Sequence, residues 1–250
     1  MAKSSKRLDK VLVERGLMAS RDRAQGFILS GRVLVDGRRV TKSGQMVAPG
    51  CAIEVTGDDN PFVSRGGIKL DHALKTFALK VEGLTAMDVG ASTGGFTDCL
   101  LQHGARKVYA VDVGYGQLAW SLRQDPRVVV LERQNIRTLP RELIDERVQV
   151  ATMDTSFISL KLVIPAVMPF LDDQALLVAL IKPQFEAGRE AVGKGGVVKD
   201  SQVHQQVCQD IDALCRELGL QVLGITPSPL LGPKGNREFL LAARHHADLL

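Results

Sequence analysis

Four charged residues stand where an α/β chain can do chemistry. Lys182 follows the apolar stretch 175–181 in Leu180-Ile181-Lys182-Pro183. At the carboxyl end of a strand its side chain would meet the crevice in which open α/β sheets bind ligands. A lysine partly desolvated beside a second cation gives up its proton more readily, which suits a general base. Lys69 begins a helix in Ser64-Arg-Gly-Gly-Ile-Lys-Leu70, Asp154 follows a strand in Met153-Asp-Thr-Ser-Phe157, and Glu238 opens the last strand in Gly235-Asn-Arg-Glu-Phe239. Taken singly, Asp154 also has a plainer reading as a helix-capping carboxylate, and each of the others as an ordinary surface charge.

A glycine-rich stretch, Asp88-Val-Gly-Ala-Ser-Thr-Gly-Gly-Phe-Thr97, supplies a second kind of chemistry. It reads as a strand (85–89) turning through glycines into a helix over 97–103 that stops at Gly104. The next strand, Lys107-Val-Tyr-Ala-Val-Asp112, ends in a carboxylate 24 residues after Asp88, where a nucleotide fold hydrogen-bonds a ribose diol. Ser92 stands where a dinucleotide fold needs the glycine that lets backbone approach a pyrophosphate. A cofactor without phosphate fits better, and S-adenosylmethionine is the usual one; a strand-to-helix turn without a ligand is the plainer reading. Met153-Asp-Thr-Ser-Phe157 is neither the Asp/Asn-Pro-Pro-aromatic signature of adenine amino methylation nor accompanied by the Cys that cytosine carbon methylation needs.

The elements that must position these residues are bounded by composition. The 250 residues are 45% hydrophobic, enough for one large domain or a large and a small one. No apolar run approaches the ~20 residues of a membrane span, and Met-Ala-Lys-Ser-Ser-Lys-Arg lacks the core of a secretory signal. A cytoplasmic location is the expectation. Cys51, Cys99, Cys208 and Cys215 form no Cys-x-x-Cys pair and no evident cluster with the five histidines, so neither zinc, nor any other metal, nor a disulfide framework is expected. Cys208 and Cys215 read as core residues of one helix face, His245 and His246 as tail residues. Residues 1–50 hold 11 Lys+Arg against 4 Asp+Glu, whereas 61–250 balance at 21 each. That suggests a phosphate-binding footprint or a solvated basic face.

Two short helices come first, Leu8–Arg15 and a second from Ser20 to Ser30, then a hairpin of 33–35 and 40 about Asp36-Gly37 and a strand at 52–55. Gly57-Asp-Asp-Asn-Pro61 is a breaker cluster and sets a boundary, giving domains 1–60 and 61–250. Beyond it, strands near 85–89, 107–112, 128–132, 149–153 and 175–181 alternate with helices such as 64–79, 97–103 and 202–218, and strands follow near 221–226 and 238–243. Such alternation implies a parallel sheet covered on both faces.

The first segment resembles the S-four RNA-binding domain in Arg7-Leu8-Asp9, Ser20-Arg21 with Arg23-Ala24, Ser30-Gly31-Arg32-Val33 and Val35-Asp36-Gly37. That family grips structured RNA through its backbone, which makes Arg7, Arg21, Arg23, Arg32 and Lys42 candidate phosphate contacts, with Arg65 beyond the boundary. In order and context, Lys69, Asp154, Lys182 and Glu238 are similar to the Lys-Asp-Lys-Glu tetrad of FtsJ-like ribose 2'-O-methyltransferases. Gly90-Ala-Ser-Thr-Gly-Gly-Phe-Thr, Val113-Gly-Tyr-Gly-Gln-Leu-Ala-Trp-Ser-Leu122, Ser156-Phe-Ile-Ser-Leu160, Lys182-Pro-Gln-Phe-Glu186 and Gly195-Gly-Val-Val198 resemble the TlyA (hemolysin A) family over nearly the whole chain.

The resemblance implies a Rossmann-like class I methyltransferase sheet behind a small α+β S-four domain. It implies methyl transfer from S-adenosylmethionine to a ribose 2'-hydroxyl of ribosomal RNA, typically on a cytidine. Lys182 is then the base or the group stabilising the developing alkoxide, Lys69 lowers its proton affinity, and Asp154 and Glu238 orient the lysines and the ribose. The alternative, in which the tetrad positions the hydroxyl and solvent takes the proton, stays open. Gly90, Ser92, Gly94, Gly95 and Phe96, with Asp154, would hold the methionine end of the cofactor, Asp112 its ribose and Asn135, at the end of the next strand, its adenine edge. Asn135 departs from the Asp common in other methyltransferases, though an amide still pairs with adenine.

Gly188-Arg-Glu-Ala-Val-Gly193-Lys194 matches part of a phosphate-loop signature, but Gly195 replaces its Ser/Thr and no strand precedes it, so 187–199 is expected to be a mobile loop near the acceptor site or a plain surface loop. Two other function classes compete: a ribosome-binding assembly factor with an inactive methyltransferase domain, and a haemolysin, for which no amphipathic pore segment is present.

Overall fold

A computed structural model describes residues 5–18, 20–56 and 60–246. The chain divides into two compact units, Met1–Asp59 and Asn60–Leu250.

In the first unit β1 (Lys6–Arg7) leads into α1 (Leu8–Glu14) and α2 (Arg21–Leu29), followed by β2 (Val33–Val35), β3 (Arg38–Val40), β4 (Met46–Val47) and β5 (Ile53–Val55). Ser20 caps α2 by accepting from the Arg23 backbone N–H at 3.2 Å. β2 pairs antiparallel with both β3 and β5, and β1 with β4. Leu8, Leu12, Ala24, Ile28 and Val33 are buried in a small core. The two-residue strands β1 and β4 escaped the sequence pattern because they are too short to show alternation.

The second unit opens with α3 (Gly66–Thr76), β6 (Thr85–Val89), α4 (Gly95–Gln102), β7 (Lys107–Asp112), α5 (Trp120–Arg123), β8 (Val128–Glu132) and β9 (Val148–Met153). It continues through α6 (Leu160–Val167), β10 (Leu171–Ile181), α7 (Pro183–Glu186), α8 (Ser201–Glu217), β11 (Leu220–Pro227) and β12 (Phe239–His245). The seven strands form one sheet in the order β11-β12-β10-β9-β6-β7-β8. Alternate residues of β10 serve opposite faces: Leu177, Ala179 and Ile181 pack with α6 and α8, and Val178 and Leu180 with α3 and α4. Burial of both faces is why these strands read as continuous apolar runs.

Several expectations need correction. The sheet is not wholly parallel: β10, β9, β6, β7 and β8 are parallel, but β12 runs antiparallel to β10 and β11. β12 follows β11 after a return loop rather than a crossover helix, so only an antiparallel pairing is open to it. The glycine turn ends sooner than its spacing suggests, because α4 starts at Gly95. His245 is no tail residue; it is buried in β12, with Nδ1 2.9 Å from the Asp172 carbonyl. His246 lies just past the strand, its Nε2 3.0 Å from Gln221 Oε1. No helix among the described residues is long and apolar enough to cross a membrane.

Candidate active site

The tetrad assembles at the carboxyl end of the parallel strands. Lys69, one turn into α3, donates from Nζ to Glu238 Oε2 at 2.5 Å, and both residues are buried. Lys182, the residue after β10, lies 2.6 Å from Asp154 Oδ1, an ion pair whose ammonium is not aligned for a hydrogen bond to that oxygen. It donates instead to Ser156 Oγ at 2.9 Å. Each lysine therefore has its own carboxylate, Lys69 with Glu238 and Lys182 with Asp154. Glu238 sits one residue ahead of β12 rather than inside it, and its Oε1 is buried without a hydrogen-bond partner. Ser159 and Glu186 cap α6, through Lys161 N–H at 3.1 Å and Leu160 N–H at 2.8 Å, so the capping role open to Asp154 is filled by others.

Two clefts adjoin here. One, of about 290 Å³, is lined by all four tetrad residues together with Arg65, Phe96 and the loop Leu231-Gly232-Pro233. The other, of about 470 Å³, is lined by Asp112, Gln134, Asn135, Phe157 and Val163. Gly90, Ser92, Asp154 and Ser156 line both, so the glycine turn is the partition between them. A larger groove of about 820 Å³ at the opposite end of the sheet carries none of the tetrad or glycine-turn residues.

Gly90 has φ +84, and a Cβ there would sit 2.7 Å from the Asp154 carbonyl oxygen; glycine is demanded by both conformation and space. Ser92, at the position that lacks the second glycine, adopts φ +50 nonetheless. Its N–H donates to Asp112 Oδ2 at 2.7 Å, while Gly114 N–H donates to Oδ1 at 2.6 Å. A carboxylate offers about four acceptor sites, so Asp112 keeps lone pairs for a diol. Asn135 lies three residues beyond β8, with its Oδ1 accepting from Arg137 N–H at 3.1 Å and its amide N–H groups left for a ligand edge. Under the turn, Asp88 is fully buried and accepts from Thr97 Oγ1 (2.7 Å) and Thr152 Oγ1 (3.2 Å). Burial, aided by the nearby Asp154 charge, pushes its carboxyl up to about 7 against those hydrogen bonds.

Residues without a stated role in the sequence also shape the site. Phe157 is 91% exposed at φ +63, its ring centroid 5.1 Å from that of Phe185. A bulky residue at positive φ is a structural outlier that no sequence pattern announces. Gly232 matters sterically, because a Cβ there would fall 2.0 Å from Glu238 Oε1.

In the first unit Arg7 and Arg21 converge on the buried carboxylate of Asp9, at 2.9 and 3.0 Å, with Gln25 donating at 3.0 Å. The Arg7 hydrogen bond above all, then those of Arg21 and Gln25, hold Asp9 well below the ordinary carboxylate range despite its burial. Arg32 stacks over Phe27 at 5.5 Å, Lys42 is exposed, and Arg23 follows the α2 cap. Arg65 belongs to the second unit, at the start of α3. The expectation that cysteine and histidine stay apart is corrected: Asp71, Cys99 and His103 bring their polar atoms within 4.8 Å of one another, since Cys99 and His103 are one helical turn apart and face α3. Asp71 is already bonded to Lys75 at 2.7 Å and His103 at 2.9 Å, a tie between α3 and α4.

Residues 62–245 match the FtsJ-like methyltransferase family and residues 6–52 the S4 domain. The chain is 48% identical over 243 residues to the 16S/23S rRNA (cytidine-2'-O)-methyltransferase TlyA of Mycobacterium tuberculosis, covering 97% of this chain and 91% of that one. It is 41% identical to hemolysin A of Brachyspira hyodysenteriae, covering 94% and 98%. A solved Streptococcus thermophilus structure that goes under the name hemolysin superposes with a TM-score of 0.76 at 42% identity, covering 98% of this chain and 90% of that one. A S-adenosylmethionine-dependent methyltransferase from Mesorhizobium loti, at 15% identity and a TM-score of 0.50 over 70% of this chain and 96% of that one, shares the fold alone. Two paired lysines over a glycine turn, and a matched model spanning most of the chain, give one conclusion: the protein belongs to the FtsJ-like methyltransferase family, among the members that carry an S4 domain and include TlyA.

Proposed function

We propose that this chain methylates the 2'-hydroxyl of a cytidine ribose in ribosomal RNA, with S-adenosylmethionine as donor. The observation that carries the reading is the pair of lysine–carboxylate contacts, Lys69–Glu238 and Lys182–Asp154, lining one small cavity beside a larger cleft partitioned off by the glycine turn. The larger cleft fits an adenosine: Asp112 has acceptor capacity for a ribose diol and Asn135 has amide donors for a base edge. The close approach enforced at Gly90 leaves backbone bare along the passage between the clefts. When bound, the cofactor supplies an electrophilic methyl on a sulfonium.

The chain's own work is to present the hydroxyl. An ammonium has three donors, and Lys182 directs one to Ser156 and lies against Asp154, which leaves a donor for the acceptor oxygen. Lys182 in that role stabilises the alkoxide that develops as the hydroxyl proton passes to solvent, the kind of preorganised contact worth about 10²–10³ in rate. The buried, unpartnered Glu238 Oε1 suits a ribose hydroxyl that donates to it. Lys69 holds Glu238 in place and adds positive charge to the cavity. In the first unit, Asp9 aims Arg7 and Arg21 as a pair, which fits backbone contact with folded RNA, alongside Arg23, Arg32 and Lys42. Ribosomal RNA as substrate places the protein in the cytoplasm.

The test is transfer of labelled methyl from S-adenosylmethionine to ribosomal subunits that lack the modification, with nucleoside analysis of the product and Lys182→Ala alongside. Label in 2'-O-methylcytidine with wild type, reduced at least about 100-fold in the variant, is the expected result. Cofactor binding without label on either subunit sinks the reading and favours an assembly factor.

A further inference from the structure

The wall Leu231-Gly232-Pro233 of the catalytic cavity runs straight into Lys234-Gly235-Asn236. Lys234 holds φ +58, a region that long side chains rarely occupy, so something must fix this turn. Asn236, only 3% exposed, does so. Its Oδ1 accepts from the Val198 N–H at 3.1 Å, and its Nδ2 donates to the carbonyls of Gly196 at 2.9 Å and Pro233 at 3.2 Å. Its own carbonyl accepts from Gly232 N–H at 2.8 Å, and His204 Nε2 donates to the Val198 carbonyl at 2.9 Å. One buried amide thus staples the loop 187–199 to the loop that walls the cavity.

Two lysines are carried to the staple. Lys194 is exposed on the turn closed by the Gly193–Val197 bridge. Lys234 Nζ lies 4.0 Å from where a Cβ on Gly196 would stand, so its ammonium rests against that same turn. Neither lysine has an ion-pair partner among the described residues. A ribose cannot bring its 2'-hydroxyl to the tetrad without the 3'-phosphodiester on the adjacent carbon, and that phosphate must lie at the cavity's edge.

We propose that Lys234 and Lys194 hold the backbone phosphate next to the ribose being methylated, and that Asn236 is the positioning residue that sets both against the cavity. The inference rests on the ribose-methylation reading. A lysine meets phosphate as a flexible point charge, so this contact fixes register on the strand and carries no base identity.

The experiment is methyl transfer from S-adenosylmethionine to unmodified ribosomal subunits across a salt series, for wild type, Lys194→Ala/Lys234→Ala, Lys234→Arg and Asn236→Ala. The double variant is expected to raise KM for the subunit roughly tenfold and to flatten the log–log salt dependence by about one per lysine, with cofactor affinity held. Lys234→Arg should restore most of the slope that the alanine removes. Asn236→Ala should flatten the slope as well; a purely structural role would lower its melting temperature and leave the slope of the folded fraction as in wild type, which would overturn the positioning claim. Label on wild type with KM and slope unchanged in the double variant overturns the phosphate site alone. No label on wild type removes the reading beneath it.

Discussion

Replacing Gly232 by Ala should cripple turnover without touching any residue that meets the cofactor cleft. Gly232 has φ −72 and ψ −176, which alanine adopts freely, so backbone strain plays no part. The added Cβ would lie 2.0 Å from Glu238 Oε1, 2.5 Å from its Cδ and 3.2 Å from its Cγ. Ordinary contact needs roughly 3.5 Å, so the carboxylate must retreat by roughly 1.5 Å. Glu238 is 2% exposed and bonded to Lys69 at 2.5 Å, and a shift of that size breaks the bond. A misplacement of about 1 Å costs on the order of 100-fold in rate, so kcat should fall about 100-fold. Cofactor affinity, measured calorimetrically, should stay within about threefold. The decisive assay pairs this variant with Glu238→Ala: because both act through one carboxylate, the double variant should be scarcely slower than the worse single one. Wild-type turnover in Gly232→Ala, or losses that simply multiply, would refute the reasoning.

Two further outcomes follow from buried carboxylates. Asp88 titrates at about 7 when folded and near 3.8 when unfolded, so the folded state binds the extra proton and stability falls as pH rises through that window, by up to about 4 kcal/mol. Asp88→Asn should flatten the melting temperature between pH 5 and 8, and an unchanged pH slope would show that Asp88 is not the titrating group. Asp9 has the opposite sign: its lowered folded value stabilises at neutral pH and is lost as pH falls below the ordinary carboxylate range. Asp9→Asn should destabilise the first unit by about 1–3 kcal/mol and weaken RNA binding while leaving cofactor affinity intact; RNA binding equal to wild type would show that Arg7 and Arg21 need no alignment.

The sequence announced those parts of the site whose chemistry is tied to a local pattern. Gly90 and Asp112 were legible because a turn after one strand and a carboxylate ending the next are consequences of chain direction. Ser92 was legible as a departure from the dinucleotide pattern, although its left-handed backbone is visible only in the fold. Asn236 was opaque, since its three side-chain bonds reach backbone groups up to 40 residues away and no spacing rule marks them. Cys99 and His103 stand four residues apart, a helical turn that was readable, but their neighbour Asp71 comes from another helix, and such meetings are set by packing.

The largest departure from the sequence pattern is also what lets the tetrad assemble. Alternation of strands and helices implies a parallel sheet, and a parallel β12 would place its first residue beside the start of β10. In the antiparallel pairing observed, Phe239 lies opposite Ile181 and Arg244 opposite Leu176. Glu238 precedes Phe239 and Lys182 follows Ile181, so both emerge at the same end of the sheet. At about 3.3 Å per residue, reversal of β12 would carry Glu238 some seven residues, roughly 23 Å, from Lys182 and strand Lys69 without its carboxylate. Asp154, one residue past the parallel strand β9, needs no such reversal, because its strand already ends there. The tetrad therefore reads out two chain directions at one sheet edge: three residues delivered by the ordinary α/β order, and Glu238 by the one strand that runs against it.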